Sequence, residues 1–152
     1  MIDDLVEDLK SDEGWRPWIY DDDTGEPIVR GSTVQGYPTI GYGQMVDYSR
    51  GGGISKHIGE QMLIEAATLR WNQLVNLLPF VQHQPEEVQR ALGNMAYQLG
   101  VGGVYGFKKM LQSLRDGDRV AAAQHALDSK WANEQTPKRA RRVAGLIGGY
   151  GV

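Results

Sequence analysis

The chain has 152 residues, of which 41% are apolar and 23% charged, the composition of a folded domain and not of a disordered segment. It holds no cysteine, which excludes disulfides, thiol nucleophiles, zinc knuckles and iron–sulfur clusters. No apolar run approaches the roughly 20 residues of a membrane span, and the start, Met1 to Asp8, is acidic where a secretory signal is basic, so accumulation in the cytoplasm is expected. The net charge of −3 conceals a gradient: residues 1 to 30 carry ten acidic against three basic side chains, and the rest of the chain is basic. Lys108, Lys109, Lys130, Lys138, Arg139, Arg141 and Arg142 form the basic side of that balance. A solvated, mutually neutralising surface is favoured over a polyanion contact, and no nucleic-acid partner is expected.

In chain order, Ile2, Leu5, Val6 and Leu9 recur at helical spacing through Lys10, predicting a short amphipathic helix that runs out near Gly14. From Trp15 to Met45, aromatic and β-branched pieces cut by Gly and Pro predict short antiparallel strands. Gly51-Gly52-Gly53 reads as a hinge-like break, Ser55 as a cap, and residues 59 to 78 as a long helix ended by Pro79. Helices are then expected over 86 to 99, up to a break at Gly100, over 104 to 115, and over 118 to 131. A last helix opens at Thr136-Pro137, an N-cap followed by proline, and runs to about Ile147. The fold class is α+β, mainly α: a small sheet lobe over about 12 to 58, a connecting helix over about 59 to 79, and a helical lobe of 80 to 152 plus the first helix. A ligand cleft is expected between the lobes of this single domain.

His57, His83 and His125 lack the paired helical spacing of a zinc hydrolase, so no metal or other cofactor is expected. The run from Gly100 to Lys109 lacks the Gly-Lys-Ser/Thr of a phosphate loop, and no Gly-x-Ser-x-Gly elbow occurs. What remains is carboxylate chemistry. Glu13, at a helix C-terminus beside Trp15 and near Asp12, faces carbonyl dipoles, partial desolvation and a like charge, all favouring its protonated form. Asp22 lies in the aspartate-rich turn Asp21-Asp22-Asp23, where at least one carboxylate stays ionised. Two carboxyls in different environments suit the acid/base pair of a glycosidase. In a strand, Thr39, Gly41 and Gly43 share one face, so the Thr39 hydroxyl stands beside positions open to a substrate and can orient a water. A strand threonine chosen for β propensity explains Thr39 as well.

Asp12-Glu13-Gly14, Ile19-Tyr20-x-Asp22 and Gly36-Tyr37-x-Thr39-Ile40-Gly41-Tyr42-Gly43 resemble the phage-type lysozymes, the T-even phage lysozyme group of glycoside hydrolase family 24. Asn94 to Gly100, Ser129-Lys130-Trp131 and Gln135-Thr136-Pro137-x-Arg139-Ala140-x-Arg142-Val143 follow in family order, so the likeness spans nearly the whole chain. It implies a lysozyme-like fold. It also implies hydrolysis of the β-1,4 bond between N-acetylmuramic acid and N-acetylglucosamine in bacterial peptidoglycan, causing host cell lysis. Glu13 would be the general acid. Asp22 would stabilise the oxocarbenium or help activate a water held by Thr39, with inversion and carboxyls roughly 6.5–9.5 Å apart. Met45, Tyr97, Gln98, Met110 and His125 fall at substrate-contacting positions. Arg139 matches an arginine that pairs with the catalytic glutamate, which would lower the glutamate pKa against the helix-end and burial effects. Trp131 is most simply core.

The sequence departs from that pattern twice. Sixteen residues separate Asp22 from Thr39, a longer interval than the family's, so 26 to 35 reads as an inserted hairpin or loop above the cleft, and Asp21 or Asp23 could take the place of Asp22. Gln44 stands where the family commonly has histidine. A lytic transglycosylase and a non-catalytic peptidoglycan-binding module are the alternative functions. The expected partners are peptidoglycan and a holin-type membrane permeabiliser that gives a monomeric enzyme access from the host cytoplasm to the wall.

Overall fold

The computed structural model describes residues 2–46 and 54–150, so the glycine run at 51 to 53 lies outside the described residues. The chain is mainly helical with one small antiparallel sheet, the α+β class expected, and its contacts divide it into two compact units, Met1–Glu60 and Gln61–Val152.

The first unit opens with α1, Ile2–Glu13. Asp3 and Asp4 in its first turn and Lys10 in its last oppose the helix dipole, and Lys10 pairs with Glu7 at 2.6 Å. Gly14, with φ 68°, donates back to the Lys10 carbonyl and stops the helix, a left-handed position that glycine occupies without penalty. No residue of α1 is buried. The helix groups with the sheet in the first unit, tied to the first strand by a two-residue link.

The sheet has the order β1 (Arg16–Asp21), β2 (Pro38–Gly41), β3 (Gln44–Met45). Arg16 pairs with Gly41, Tyr20 with Thr39 and Asp21 with Pro38, with an irregularity between Arg16 and Tyr20; Thr39 pairs with Met45. The strict alternation expected through Gly43 ends at Gly41, because Gly41 and Gly43 take φ of 71° and 76° and form the β2–β3 turn. Gln44 closes that turn with its own amide, accepting from Tyr42 N at 2.8 Å and donating to Tyr42 O at 2.9 Å. The long interval between β1 and β2 folds back along β1: Tyr20 and Pro27 bridge, and Ile28 N donates to Ile19 O.

The second unit holds most of α2 (Lys56–Leu77), then a 3-10 turn at Pro79–His83, α3 (Glu86–Tyr105), α4 (Lys108–Arg115), α5 (Arg119–Leu127), a π-helical turn at Trp131–Gln135 and α6 (Pro137–Gly148). The break expected at Gly100 is a kink inside α3, with Gly100 at φ 72° and ψ 164°. The next break falls at Phe107 and not before Val104, so the helix expected over 104 to 115 is divided between α3 and α4. Asp118 caps α5 by accepting from Ala121 N at 2.9 Å. That helix stops at Leu127, short of the expected 131, where the chain turns into the π-helical segment. Thr136 precedes Pro137 as expected, yet its hydroxyl makes no cap bond, accepting instead from Gln98 Nε2 at 3.2 Å. The core lies here, with Leu92, Met95, Met110, Leu111, Leu114 and Ile147 among its fully buried side chains.

Candidate active site

Four of the residues singled out from the sequence, Glu13, Asp22, Thr39 and Met45, line one pocket of about 370 Å3 within the first unit. Glu13 is the last residue of α1, and the Gly14 turn brings β1 past it. Glu13 is exposed and Trp15 is 62% exposed, its ring 5.1 Å from that of Tyr42, so the partial burial expected for the glutamate is not found. What confines Glu13 is the β2–β3 turn: a Cβ at Gly43 would stand 2.7 Å from Glu13 Oε2. A side chain there would have to displace the carboxylate.

Asp22 follows β1 and is exposed, with its Oδ1 accepting from Tyr37 N at 2.5 Å. Thr39 is 2% exposed, and its hydroxyl donates to Tyr37 O at 3.0 Å. The two ends of one residue's backbone thus hold both groups. With its proton committed to Tyr37 O, the Thr39 oxygen has only acceptor capacity left, which suits a water that donates to it. Met45 lies opposite Thr39 in the ladder and adds an apolar wall.

The neighbouring aspartates divide the work. Asp21 is 4% exposed, and its carboxylate accepts from Gln35 N at 2.6 Å, Gly36 N at 2.9 Å and Asp23 N at 3.0 Å. The Gln35 N–H, followed by those of Gly36, Asp23 and Thr24, holds its pKa below the usual carboxylate value against the opposing effect of burial. Of the three turn aspartates, Asp22 is the one lining the pocket.

Three pocket residues, Arg16, Tyr20 and Gly25, were not singled out from the sequence. Arg16 stacks on the Tyr20 ring at 4.2 Å and donates to Gly25 O at 3.2 Å, and both Arg16 and Tyr20 line the pocket. Arg16 and Tyr20 lie on β1 on either side of its irregular pairing with β2.

The remaining candidates lie in the second unit. Tyr97 is 44% exposed on α3. Gln98 is a brace: its Oε1 accepts from Trp131 Nε1 at 3.1 Å while its Nε2 donates to Thr136, so its amide satisfies the N–H of a buried indole. Trp131 is core, as expected, with an edge-on contact to Phe107. Met110 is fully buried in the core, and a side chain with no accessible surface has none to offer a sugar, which corrects the expected substrate contact. His125 lines a separate pocket of about 500 Å3 with Lys108, Lys109 and Ser129. Arg139 donates to Asn94 Oδ1 at 2.8 Å and to Asn94 O at 3.4 Å. Among the described residues no group of three or more His, Asp or Glu is placed to hold a metal ion, and no helix is long and apolar enough to cross a membrane.

A mainly helical chain whose small antiparallel sheet frames a pocket with two carboxylates and a threonine is of the lysozyme-like class. The phage lysozyme family model matches residues 10–148, and the chain belongs to that family. It is 32% identical over 168 residues to the pre-baseplate central spike protein Gp5 of Enterobacteria phage T4, an alignment covering 94% of this chain and 27% of that protein. The chain therefore spans about a quarter of the length of that relative. It is 26% identical over 162 residues to the probable T4-type lysozyme 2 of Dictyostelium discoideum, covering 97% of this chain and 95% of that one. It is 39% identical over 57 residues to the probable T4-type lysozyme 1 of the same organism, covering 38% of this chain and 33% of that one.

Proposed function

We propose that this chain is a muramidase that hydrolyses the β-1,4 bond between N-acetylmuramic acid and N-acetylglucosamine in peptidoglycan, with inversion at the anomeric carbon. Glu13 protonates the leaving glycosidic oxygen. Asp22, ionised, stabilises the positive charge developing on the ring and draws a proton from the attacking water. Thr39 accepts a hydrogen bond from that water and aims it. The water oxygen bonds to the anomeric carbon as the bond to the leaving oxygen breaks, its proton passes to Asp22 and from there to solvent, and Glu13 is reprotonated from solvent. The observation that supports this reading is the convergence of Glu13, Asp22 and Thr39 on one open pocket whose glycine, Gly43, leaves Glu13 its space. Tyr97 and His125, in the second unit, are proposed as residues that contact the glycan.

The test is Glu13→Gln on isolated sacculi: a fall in turnover of roughly 10²–10⁴-fold is expected, since general acid catalysis contributes about that much. Undiminished turnover removes the assignment. A lytic transglycosylase would leave anhydro ends where a hydrolase leaves reducing ends, and a binding module would leave the glycan intact.

The biological setting proposed is that of an endolysin, held in the host cytoplasm until a membrane-permeabilising partner gives it access to the wall. Prompt lysis by this protein alone, in a host without such a partner, would argue against that setting. The likeness to a baseplate spike protein favours a second reading, a wall-cleaving module carried on the phage particle. Detection of the chain in purified particles would select that reading over the endolysin.

A further inference from the structure

Among the described residues of the sheet-bearing unit, one carboxylate is buried, that of Asp21, and the proposed chemistry leaves it unused. Asp21 is buried at the end of β1, next to Asp22, and faces three backbone N–H groups from two places in the chain. Asp23 N lies just beyond Asp22, while Gln35 N and Gly36 N come from the far end of the long interval that separates Asp22 from Thr39. The Asp21 backbone is engaged on the same interval: its N–H donates to Glu26 O at 2.9 Å, and its carbonyl accepts from Gly25 N at 2.7 Å.

This clamp ends one residue before Tyr37, whose N–H holds Asp22 and whose carbonyl takes the proton of Thr39. Gly36 also passes so close to Asp22 that a Cβ there would collide with the Asp22 carboxylate. Asp21 therefore gathers the segment that sets both pocket groups, and a carboxylate with two oxygens is needed to accept all three bonds. Tyr37 is itself tied to Asp22, whose N–H donates to its carbonyl at 3.1 Å, and the Asp21 carboxylate adds a hold on the two residues that precede it.

We infer that Asp21 is a positioning residue for the reaction: its carboxylate clamps Gln35 and Gly36 so that the Tyr37 backbone holds Asp22 and Thr39 in attacking geometry. The inference rests on the muramidase reading. It does not make Asp21 a reacting group, since a buried carboxylate already accepting three hydrogen bonds has no open path to a sugar or its water.

The experiment is a double-mutant cycle on isolated sacculi with Asp21→Asn, Asp22→Asn and the pair together, alongside Glu13→Gln. Asp21→Asn replaces one acceptor oxygen by a donor that opposes the Gln35 or Gly36 N–H. It is expected to lower kcat by roughly 10- to 100-fold, the scale of loss when a reacting group is misplaced by about an ångström, with KM little changed. Because Asp21 acts in part through Asp22 and in part through Thr39, Asp21→Asn is expected to cost less in the Asp22→Asn background than in the wild type, so the two losses are less than additive. In parallel, the amide protons of Gln35 and Gly36 lose exchange protection while those of the second unit keep theirs. If Asp21→Asn fails to fold, Asp21→Glu, which keeps the charge and shifts it by one methylene, is read in the same cycle. Full additivity of the two losses, unchanged kcat, or retained protection at Gln35 and Gly36 overturns the inference. Loss of the muramidase reading shows separately, as undiminished turnover in Glu13→Gln.

Discussion

Gly43 sets how near the β2–β3 turn comes to Glu13, and it does so twice over, by its left-handed backbone and by its missing Cβ. Gly43→Ala strains a φ of 76° and pushes a methyl toward Glu13 Oε2, which lies at the movable end of its side chain and gives way. The chain is therefore expected to fold, with kcat/KM on sacculi lowered by roughly 10- to 100-fold through misplacement of Glu13, the proposed acid. Asp21 supports a second prediction, in stability. Its pKa is lowered in the folded state, so the native form binds protons more weakly than the unfolded chain near the ordinary aspartate value of about 3.9. The stability it contributes is full above that value and is lost as pH falls through its lowered folded pKa. Thermal unfolding followed from pH 6 downward should show a steeper acid loss of Tm in the wild type than in Asp21→Asn.

At the scale of elements, α3 shows a helix running through a conformation that only glycine tolerates. Gly100, at φ 72° and ψ 164°, lies outside both helical and ordinary extended backbone, yet a Cβ there would meet nothing within 4 Å. The cost of Gly100→Ala is therefore backbone strain alone, about 1–3 kcal/mol, read as a lower denaturant midpoint at an unchanged slope. The close of α6 has a different device. Gly149 takes φ 76° and donates to Gly145 O, while Arg119 donates to the Leu146 and Ile147 carbonyls and pairs with Glu87 at 3.0 Å. One guanidinium from α5 thus satisfies the carbonyls that a helix end leaves open. The sheet has no comparable core to rely on. Its order comes from Gln44 closing its own turn and from Asp21 gathering the interval between β1 and β2.

Among the described residues, the fully buried apolar side chains come from Leu74 onward, whereas the residues lining the candidate pocket come from the first 45 positions. Stability and the proposed chemistry are therefore drawn from different stretches of chain, and substitutions should separate them. Met110→Ala, deep in the helical core, is expected to cost about 2–5 kcal/mol in denaturant unfolding. KM on sacculi should stay near the wild-type value below the transition. A large KM change at unaltered stability would return Met110 to the substrate-contacting role that its burial contradicts.

Much of this was legible in the amino-acid order. The helix ending at Glu13, the small sheet, the long helix closed before Pro79 and the proline start of α6 follow from period, capping and glycine placement, which are local properties of the chain, while the roles of Glu13, Asp22 and Thr39 come from the resemblance to the phage-type lysozymes. Other features depend on partners distant in sequence. Gln98 reads as a sugar-binding amide until the Trp131 indole and the Thr136 hydroxyl are brought to it. Met110 reads as a lining residue until the helices close over it, and one aspartate among three neighbours is singled out only when Gln35 and Gly36 fold back onto Asp21. Residue type and spacing determine what chemistry a side chain can do. Burial and hydrogen bonding decide which side chains remain free to do it, because both are satisfied across the fold and not along the chain.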